Sequence, residues 1–428
     1  LGFAAQSRRV SSIAVQVKAV GVTDYDIVIC TMSRWDGEVS SAIFSLAKEL
    51  ALRRRVYYWD HPFSVKDLVQ NWSSPMLASR KTNLLRGKLL VRSVPGTPAG
   101  FCAVTPPLTL PINFLPAGWL YEAGSAWNDR VLNRALNQLL ASENISRFVF
   151  LNSFDPFFFR KLEVNPQALL RIYQSRDDIS QEPYIARHGR YLEREQLDRA
   201  ELRLATSQGL RHLLHRSSAP VHRLANGADT ALFSQALNPA PLPPDWPSGA
   251  IGKPVVGYIG SFSALRLDYP LLRFVVNKHP DKAFVFLGSG NFEDQELAAL
   301  PNVHLIGPRP LVSLPNYLRG MDATLIPFLC NTLTSSIYPL KINEYLAAGK
   351  PVISTNFSAD VREFAPVVHL ADSAESFSAG LSKALEADSA GQRQARCATA
   401  AKNSWTERAA TFERLVEETL AKSAAWAH

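Results

Sequence analysis

Short apolar, β-rich runs alternate with amphipathic stretches along most of the 428-residue chain. Asp26 to Met32 (DIVICTM) is the first such run and reads as a strand. A loop follows at Ser33-Arg34-Trp35-Asp36-Gly37. From about Ser40 to Leu52, Ile43, Leu46, Ala47 and Leu50 fall on one helical face, and Val56 to Trp59 is the next strand, ending in Asp60-His61-Pro62. Strand, helix, strand is a βαβ unit, and its ligand loops lie at the C-terminal ends of its strands. Trp35, Asp36, Gly37 and His61 are therefore cleft candidates. The plainer alternative is turn chemistry for Asp36-Gly37 and packing for Trp35. From Lys66 to Tyr121 the periodicity weakens. Arg80, Lys81, Arg86, Lys88 and Arg92 interleave with Trp72, Leu84, Leu85, Leu89 and Leu90, and no clean amphipathic helix emerges. The pattern returns with a helix at Asn128 to Leu140 and strands at Phe148 to Leu151 and Ala168 to Tyr173. A helix around Tyr191 to Leu202 and a strand at Arg203 to Ser207 close this half.

Asn226-Gly227-Ala228-Asp229 is a turn signal, and Asn238 to Gly249, with five prolines, reads as a linker between domains. Beyond it the alternation is regular. Strands are expected at Val255 to Gly260, Ala283 to Leu287, Val303 to Ile306, Ala323 to Ile326 and Val352 to Ser354. Helices are expected at Tyr269 to Val276 and Leu314 to Arg319, and later at Ala374 to Leu385 and Trp405 to Ala424. Such alternation makes a second doubly wound sheet. Gly257, Gly260, Gly288 and Gly290 permit close backbone approach, but no GxGxxG is intact, so a dinucleotide fingerprint is weak.

Composition narrows the function classes. Hydrophobic content of 46% and charged content of 20% describe an ordered chain, and its length implies two domains. No apolar run reaches the roughly 18 residues of a membrane span. The net charge of +8 favours anionic partners, but no helix-turn-helix, zinc-finger or RNP pattern points to nucleic acid. Cys30, Cys102, Cys330 and Cys397 are widely spaced without a CxxC, which fits a reducing compartment. His212 and His215 lack a third ligand nearby and read as a basic helix face. The first 22 residues read as a loosely ordered lead-in rather than a signal peptide.

The densest chemistry lies between Ser335 and Thr355 (SSIYPLKINEYLAAGKPVIST). Pro339 suits the first turn of a helix, and Gly349 followed by Lys350-Pro351 suits its end. Thr334, Ser335 and Ser336 are small and polar and precede the helix. A helix N-terminus seats an anion, Lys341 adds a full charge, and Glu344 shares its face three residues on. A cation for phosphate beside a carboxylate for two hydroxyls suits a nucleoside diphosphate with its ribose. The alternative is a surface ion pair. In the first half, Asp177 and Asp178 follow a strand. They could hold a general base, cap a helix, or do both.

Taken together, Asn226 to Asp229, Gly257-Tyr258-Ile259-Gly260-Ser261 and Pro339 to Val352 resemble the group 1 glycosyltransferases of the GT-B fold, near retaining family 4. Trp35-Asp36 and Asn226 to Asp229 also look like bacterial polysaccharide or teichuronic-acid glycosyltransferases. Tyr173 to Ser180 with Tyr191 to Glu195 is similar to xanthan-type glucuronosyltransferases, which invert and whose proposed base falls at Asp177. The resemblance implies an α/β GT-B architecture of two Rossmann-like doubly wound domains facing a central cleft. The expected division is 1–237 for the acceptor, 238–250 for the linker, 251–404 for the nucleotide-sugar donor, and 405–428 as a C-terminal helix that could pack back on the first domain. By position, Lys341 would hold the diphosphate and Glu344 the ribose. Ser261 and Thr334 to Ser336 would approach the phosphates, and Arg309 would line the nucleotide side. Lys341 and, in an inverting enzyme, Asp177 would be catalytic. Two departures leave the stereochemistry open. Ser336 stands where the family has a glutamate eight residues before Glu344, and Arg266 alone follows the Gly257–Gly260 strand in place of an Arg…Lys pair.

The implied activity is transfer of a sugar from a nucleotide-diphosphate sugar to a lipid-linked or saccharide acceptor in bacterial surface polysaccharide synthesis. No cofactor or metal is required, and no nucleic acid is involved. The expected location is cytoplasmic; the basic and apolar stretch from Lys66 to Tyr121 reads either as a solvated face over core or as a surface for an anionic membrane. A nucleotide-sugar epimerase would instead form product without an acceptor, and a non-catalytic binder would hold nucleotide without transfer.

Overall fold

The structure is a computed structural model that describes residues 24–37, 41–161, 165–181, 183–214 and 220–426. The expected lead-in at 1–22, Ser40 and His215 lie outside the described residues. Two sheets organise the chain. The first contains β1 (Asp26–Thr31), β2 (Val56–Trp59), β3 (Leu90–Ser93), β4 (Phe101–Thr105), β5 (Phe148–Ser153), β6 (Ala168–Ser175), β7 (Leu202–Ala205) and β8 (Val221–Arg223). Its strand order is β3-β4-β2-β1-β5-β6-β7-β8, and every pairing is parallel except β3 with β4. The second contains β9 (Val255–Ile259), β10 (Ala283–Leu287), β11 (Val303–Ile306), β12 (Ala323–Ile326), β13 (Val352–Thr355) and β14 (His369–Ala371). Its order is β11-β10-β9-β12-β13-β14, parallel throughout. That is the doubly wound dinucleotide-fold order, with the switch point between β9 and β12. In the first sheet the switch falls between β1 and β5. Central strands such as FVFLNS, AFVFL and VIST are buried along their whole length because helices cover both faces of the sheet.

Several local expectations shift. The helix expected from Ser40 spans Ala42–Leu50, capped by Ser41, whose hydroxyl accepts from Phe44 N–H. The helix placed at Asn128 to Leu140 runs from Trp119 to Ser142. The one placed at Tyr191 to Leu202 is Pro183–Arg199. The aperiodic stretch resolves into three short helices and the antiparallel edge strand β3.

The two halves meet at strand C-termini. Ser207, just past β7, donates to the carbonyl of Ser336 at 2.5 Å. The N–H of Gln208 donates to the buried Asp360 carboxylate, which also receives Arg223 from β8. Ser336 and Asp360 follow β12 and β13, so the C-terminal edges of the two sheets face one another. The Asn226–Asp229 turn forms the crossing. Ala228 pairs with Asn403 and Trp405, and Asp229 caps the helix Thr230–Phe233. A side chain at Gly227 would press on Ser404 and Trp405 backbone at 3.0 Å. The C-terminal helix Trp405–Trp426 lies on the first sheet, where Trp405, Phe412 and Val416 join the core of Ile27, Ile29 and Tyr58. Arg53 and Arg54 both bind its Glu413.

Candidate functional site

At the second switch point, the tips of β9 and β10 touch. A Cβ on Gly288 would sit 1.7 Å from the carbonyl oxygen of Gly260, so position 288 admits no side chain without moving backbone. Gly260 itself has φ of +154°, a conformation open to glycine. The helix Leu340–Ala347 is fastened to this tip by Tyr345, whose hydroxyl takes the N–H of Ile259 at 2.8 Å and donates to its carbonyl at 3.2 Å. Pro339 is the N-cap rather than the first helical residue. At the other end Gly349 (φ +70°) donates to Leu346 and Lys350 to Tyr345. This double closure is the Schellman stop that the Gly-Lys-Pro run suggested.

Lys341, in the first turn, is thereby laid across the β9 tip. A Cβ on Gly260 would meet its Nζ at 2.9 Å. The ammonium lies 5.2 Å from the Tyr258 ring centre and 5.0 Å from that of Phe328, two faces that attract a cation. Burial lowers its pKa to about 8; Glu344 pulls it up, and Arg266 pushes it down further. Burial raises the Glu344 carboxyl to about 7, and Lys341 draws it back. No described residue lies within ion-pair distance of Lys341, and none hydrogen-bonds the Glu344 carboxylate. The pair therefore holds opposite charges at a helix start without neutralising each other by direct contact. Arg266, weighed in the sequence only as a remnant of a missing pair, is brought close enough to Lys341 to act on its charge. The loop that does this is pinned by the Arg266 carbonyl accepting from Leu329 and by the Leu267–Phe328 bridge.

Other predicted donor residues are placed differently. Thr334, Ser335 and Ser336 belong to a short helix, Thr332–Ser335, and its C-cap, and each hydroxyl bonds that turn's own carbonyls: Leu329, Thr332 and Leu333. Thr334 and Ser336 are buried. Small hydroxyl residues satisfy local backbone before they reach outward. Arg309, past β11, is held by Asp245 of the linker and the Tyr317 hydroxyl and makes no contact with Lys341 or Glu344. Ser261 is exposed beside the Gly288–Gly290 tip.

In the first domain the predicted cleft residues do gather at strand ends. Trp35 N–H donates to Asp60 at 3.1 Å, Asp36 pairs with the buried Arg80 at 2.7 Å, and His61 Nδ1 lies 2.9 Å from Asp155, past β5. Gly37 closes the Arg34 turn. Asp60 and Arg80, neither singled out by the sequence, tie this group together. The fused position of Asp60, one residue past β2, was the available signal. Asp177 follows β6 beside Arg176, while Asp178 is engaged by the Ser180 N–H and hydroxyl at 3.0 and 2.6 Å. Asp178 thus caps a local turn and does not cap the helix at 183. No group of three or more His, Cys, Asp or Glu side chains placed to hold a metal occurs among the described residues.

Residues 253–387 match the family model described as "Glycosyl transferases group 1". The fold is GT-B across the chain. Sucrose-phosphate synthase of Thermosynechococcus elongatus aligns with a TM-score of 0.64 at 13% identity, over 94% of this chain and 100% of that one. An E. coli trehalose-6-phosphate protein solved with UDP-2-fluoro glucose aligns with a TM-score of 0.62 at 10% identity, over 92% and 99%. The group 1 match thus covers residues 253–387 of the second domain, and the likeness over the rest of the chain is one of fold. In sequence the chain is similar, at 33% identity over 156 residues, to a protein of Bacillus subtilis (strain 168) whose name provisionally describes it as the teichuronic acid biosynthesis glycosyltransferase TuaH. That similarity covers 35% of this chain and 38% of the relative's length.

Proposed function

We propose that the protein is a glycosyltransferase that moves a sugar from a nucleoside-diphosphate sugar to a saccharide or lipid-linked acceptor in surface polysaccharide synthesis. The observation that carries this reading is the Lys341–Glu344 pair, held over Gly260 at the switch point of the second sheet. Departure of the diphosphate develops negative charge, which Lys341, Arg266 and the N–H groups of the helix start would stabilise. Glu344, with no hydrogen-bond partner among the described residues, would accept the ribose hydroxyls. The same cationic set makes the reaction independent of a divalent metal. Asp177, at the facing edge, would take the acceptor proton in an inverting reaction. Closure of the cleft would bring the two together.

In the first domain Trp72, Phe114, Trp119 and Trp127 are exposed, as are Lys66, Arg86 and Lys88. Aromatic and basic groups of this kind suit an anionic membrane interface at which a lipid-linked acceptor resides. No helix among the described residues is long and apolar enough to cross a membrane. The test is release of nucleoside diphosphate from a panel of donor sugars, with and without extracted lipid-linked acceptor, in EDTA. Acceptor-dependent release that persists in EDTA supports the reading. Product formed without any acceptor, or no turnover of any donor, refutes it.

A further inference from the structure

Four buried polar atoms without a hydrogen-bond partner lie together in the first domain: Trp35 Nε1, Asp36 Oδ1, and Nε and Nη2 of Arg92. The Arg92 guanidinium lies 5.1 Å from the Trp35 ring centre and donates elsewhere only through Nη1, to Ser79 at 3.0 Å. Its neighbour Arg80 is by contrast engaged through all three nitrogens. Arg80 Nε donates to Thr105, Nη1 to Asp36 and the Met76 carbonyl, and Nη2 to Asp60. The orphan atoms therefore do not reflect a poorly packed region. They are three donors and one acceptor gathered around a group whose every other member is paired.

The chemistry of the orphans is specific. Nε and Nη2 form the side of an arginine that grips a carboxylate or phosphate through two parallel bonds. A buried donor left unmade is costly, and here two on one guanidinium edge stand beside an indole N–H. Arg80 and Arg92 stand beside Asp36 and Asp60, and Asp60 is fully enclosed with its carboxyl raised by burial to about 6. Burial, and then Arg80, lower the Arg92 pKa, so its cation is disfavoured here and a bound anion would relieve it. The position is also suitable. β1, β2 and β4 are neighbours, and Trp35, Asp36, Asp60 and Thr105 all stand at their C-terminal ends, on the edge that faces the second domain.

We propose that this cluster seats an oxyanion carried by the acceptor, a carboxylate or a phosphate, gripped by the Nε–Nη2 edge of Arg92 and the indole N–H of Trp35. Asp36 Oδ1 then receives a hydroxyl of the same sugar. The inference rests on reading the first domain as the acceptor side.

The experiment is titration calorimetry of the full chain with three probes: methyl glucoside, methyl glucuronide and glucose 6-phosphate. Each titration is run with saturating nucleoside diphosphate, so that the donor site is filled. At least one anionic probe should bind about tenfold or more tighter than the neutral one, the scale of a charge-assisted pair. Which probe wins distinguishes a uronate from a sugar phosphate. Arg92→Gln should erase the preference and Arg92→Lys should restore only part of it. Trp35→Phe, which keeps the ring and removes the N–H, should weaken the anion severalfold. Nucleotide affinity should not change in any of them. The proposal is overturned if neither anionic probe outbinds methyl glucoside, or if Trp35→Phe and Arg92→Gln bind the preferred anionic probe as the parent does. Should Arg92→Gln not fold, Trp35→Phe decides. Anion preference without any nucleotide binding would sustain this subsite and sink the transferase reading.

Discussion

Raising the pH through the titration of Lys341 should detach a nucleoside diphosphate. In the free protein burial brings this lysine down to about 8 from its ordinary 10.5. A bound diphosphate needs the protonated form. Affinity should therefore be flat up to about pH 8 and then fall about tenfold per unit, giving about a tenfold loss between pH 7 and 9 for one linked proton. Binding at pH 8 should draw a proton from buffer, so the calorimetric enthalpy should vary with buffer ionisation heat. Lys341→Ala should remove the alkaline slope and weaken binding at pH 7 by about 10- to 100-fold, the worth of one charge-assisted hydrogen bond. Comparing wild type with Lys341→Ala at each pH cancels titration of the nucleotide itself. An unchanged alkaline slope in Lys341→Ala would refute the reasoning, because another group would then carry the proton.

Glu344 is raised to about 7, so its stabilising contribution is complete below its ordinary range and lost as pH rises through 7. Glu344→Gln should weaken a nucleoside diphosphate several-fold while leaving inorganic pyrophosphate unchanged, as equilibrium dialysis can read. Gly288→Ala forces a Cβ against the Gly260 carbonyl and should cost about 1–3 kcal/mol or more in denaturant unfolding, with loss of nucleotide binding. Asp360→Ala strips the Gln208 N–H and one partner of Arg223 from the domain contact. It should cost about 1–3 kcal/mol and enlarge the radius of gyration in solution scattering. Asp177→Asn should lower kcat by about 10²- to 10⁴-fold with donor affinity intact if the enzyme inverts; a small change would point to the retaining route.

Much of this architecture is written in local pattern. The second sheet was readable because its strands are short apolar runs punctuated by glycine and proline, and VVGYIG or AFVFLGSG cannot be continued as helix. The edge strands β3 and β14 were not, although the edge strand β11 was. LVRS of β3 sits among basic residues, and HLA of β14 is too short to show a period. The helix Ala390–Ala401 carries Ala, Arg and Gln with no apolar stripe and left no trace. In the site, Lys341 and Glu344 were legible because three-residue spacing on a helix fixes their common face. The pairing of Arg309 was not legible because its partner, Asp245, lies 64 residues earlier in the linker. The local bonds of the Thr334 to Ser336 hydroxyls were not legible because whether a small polar side chain faces outward or its own turn depends on the turn. Arg80 looked like one charge in a basic run; only the fold brings Asp36 and Asp60 to it.

The most direct test of the donor site is calorimetry of the wild-type chain against UDP, GDP, ADP and dTDP at pH 7, repeated with Lys341→Ala and Glu344→Gln. One diphosphate should bind selectively, and both substitutions should weaken it, Lys341→Ala the more. Binding of none of the four, or equal binding by the wild type and Lys341→Ala, would contradict the donor-site reading.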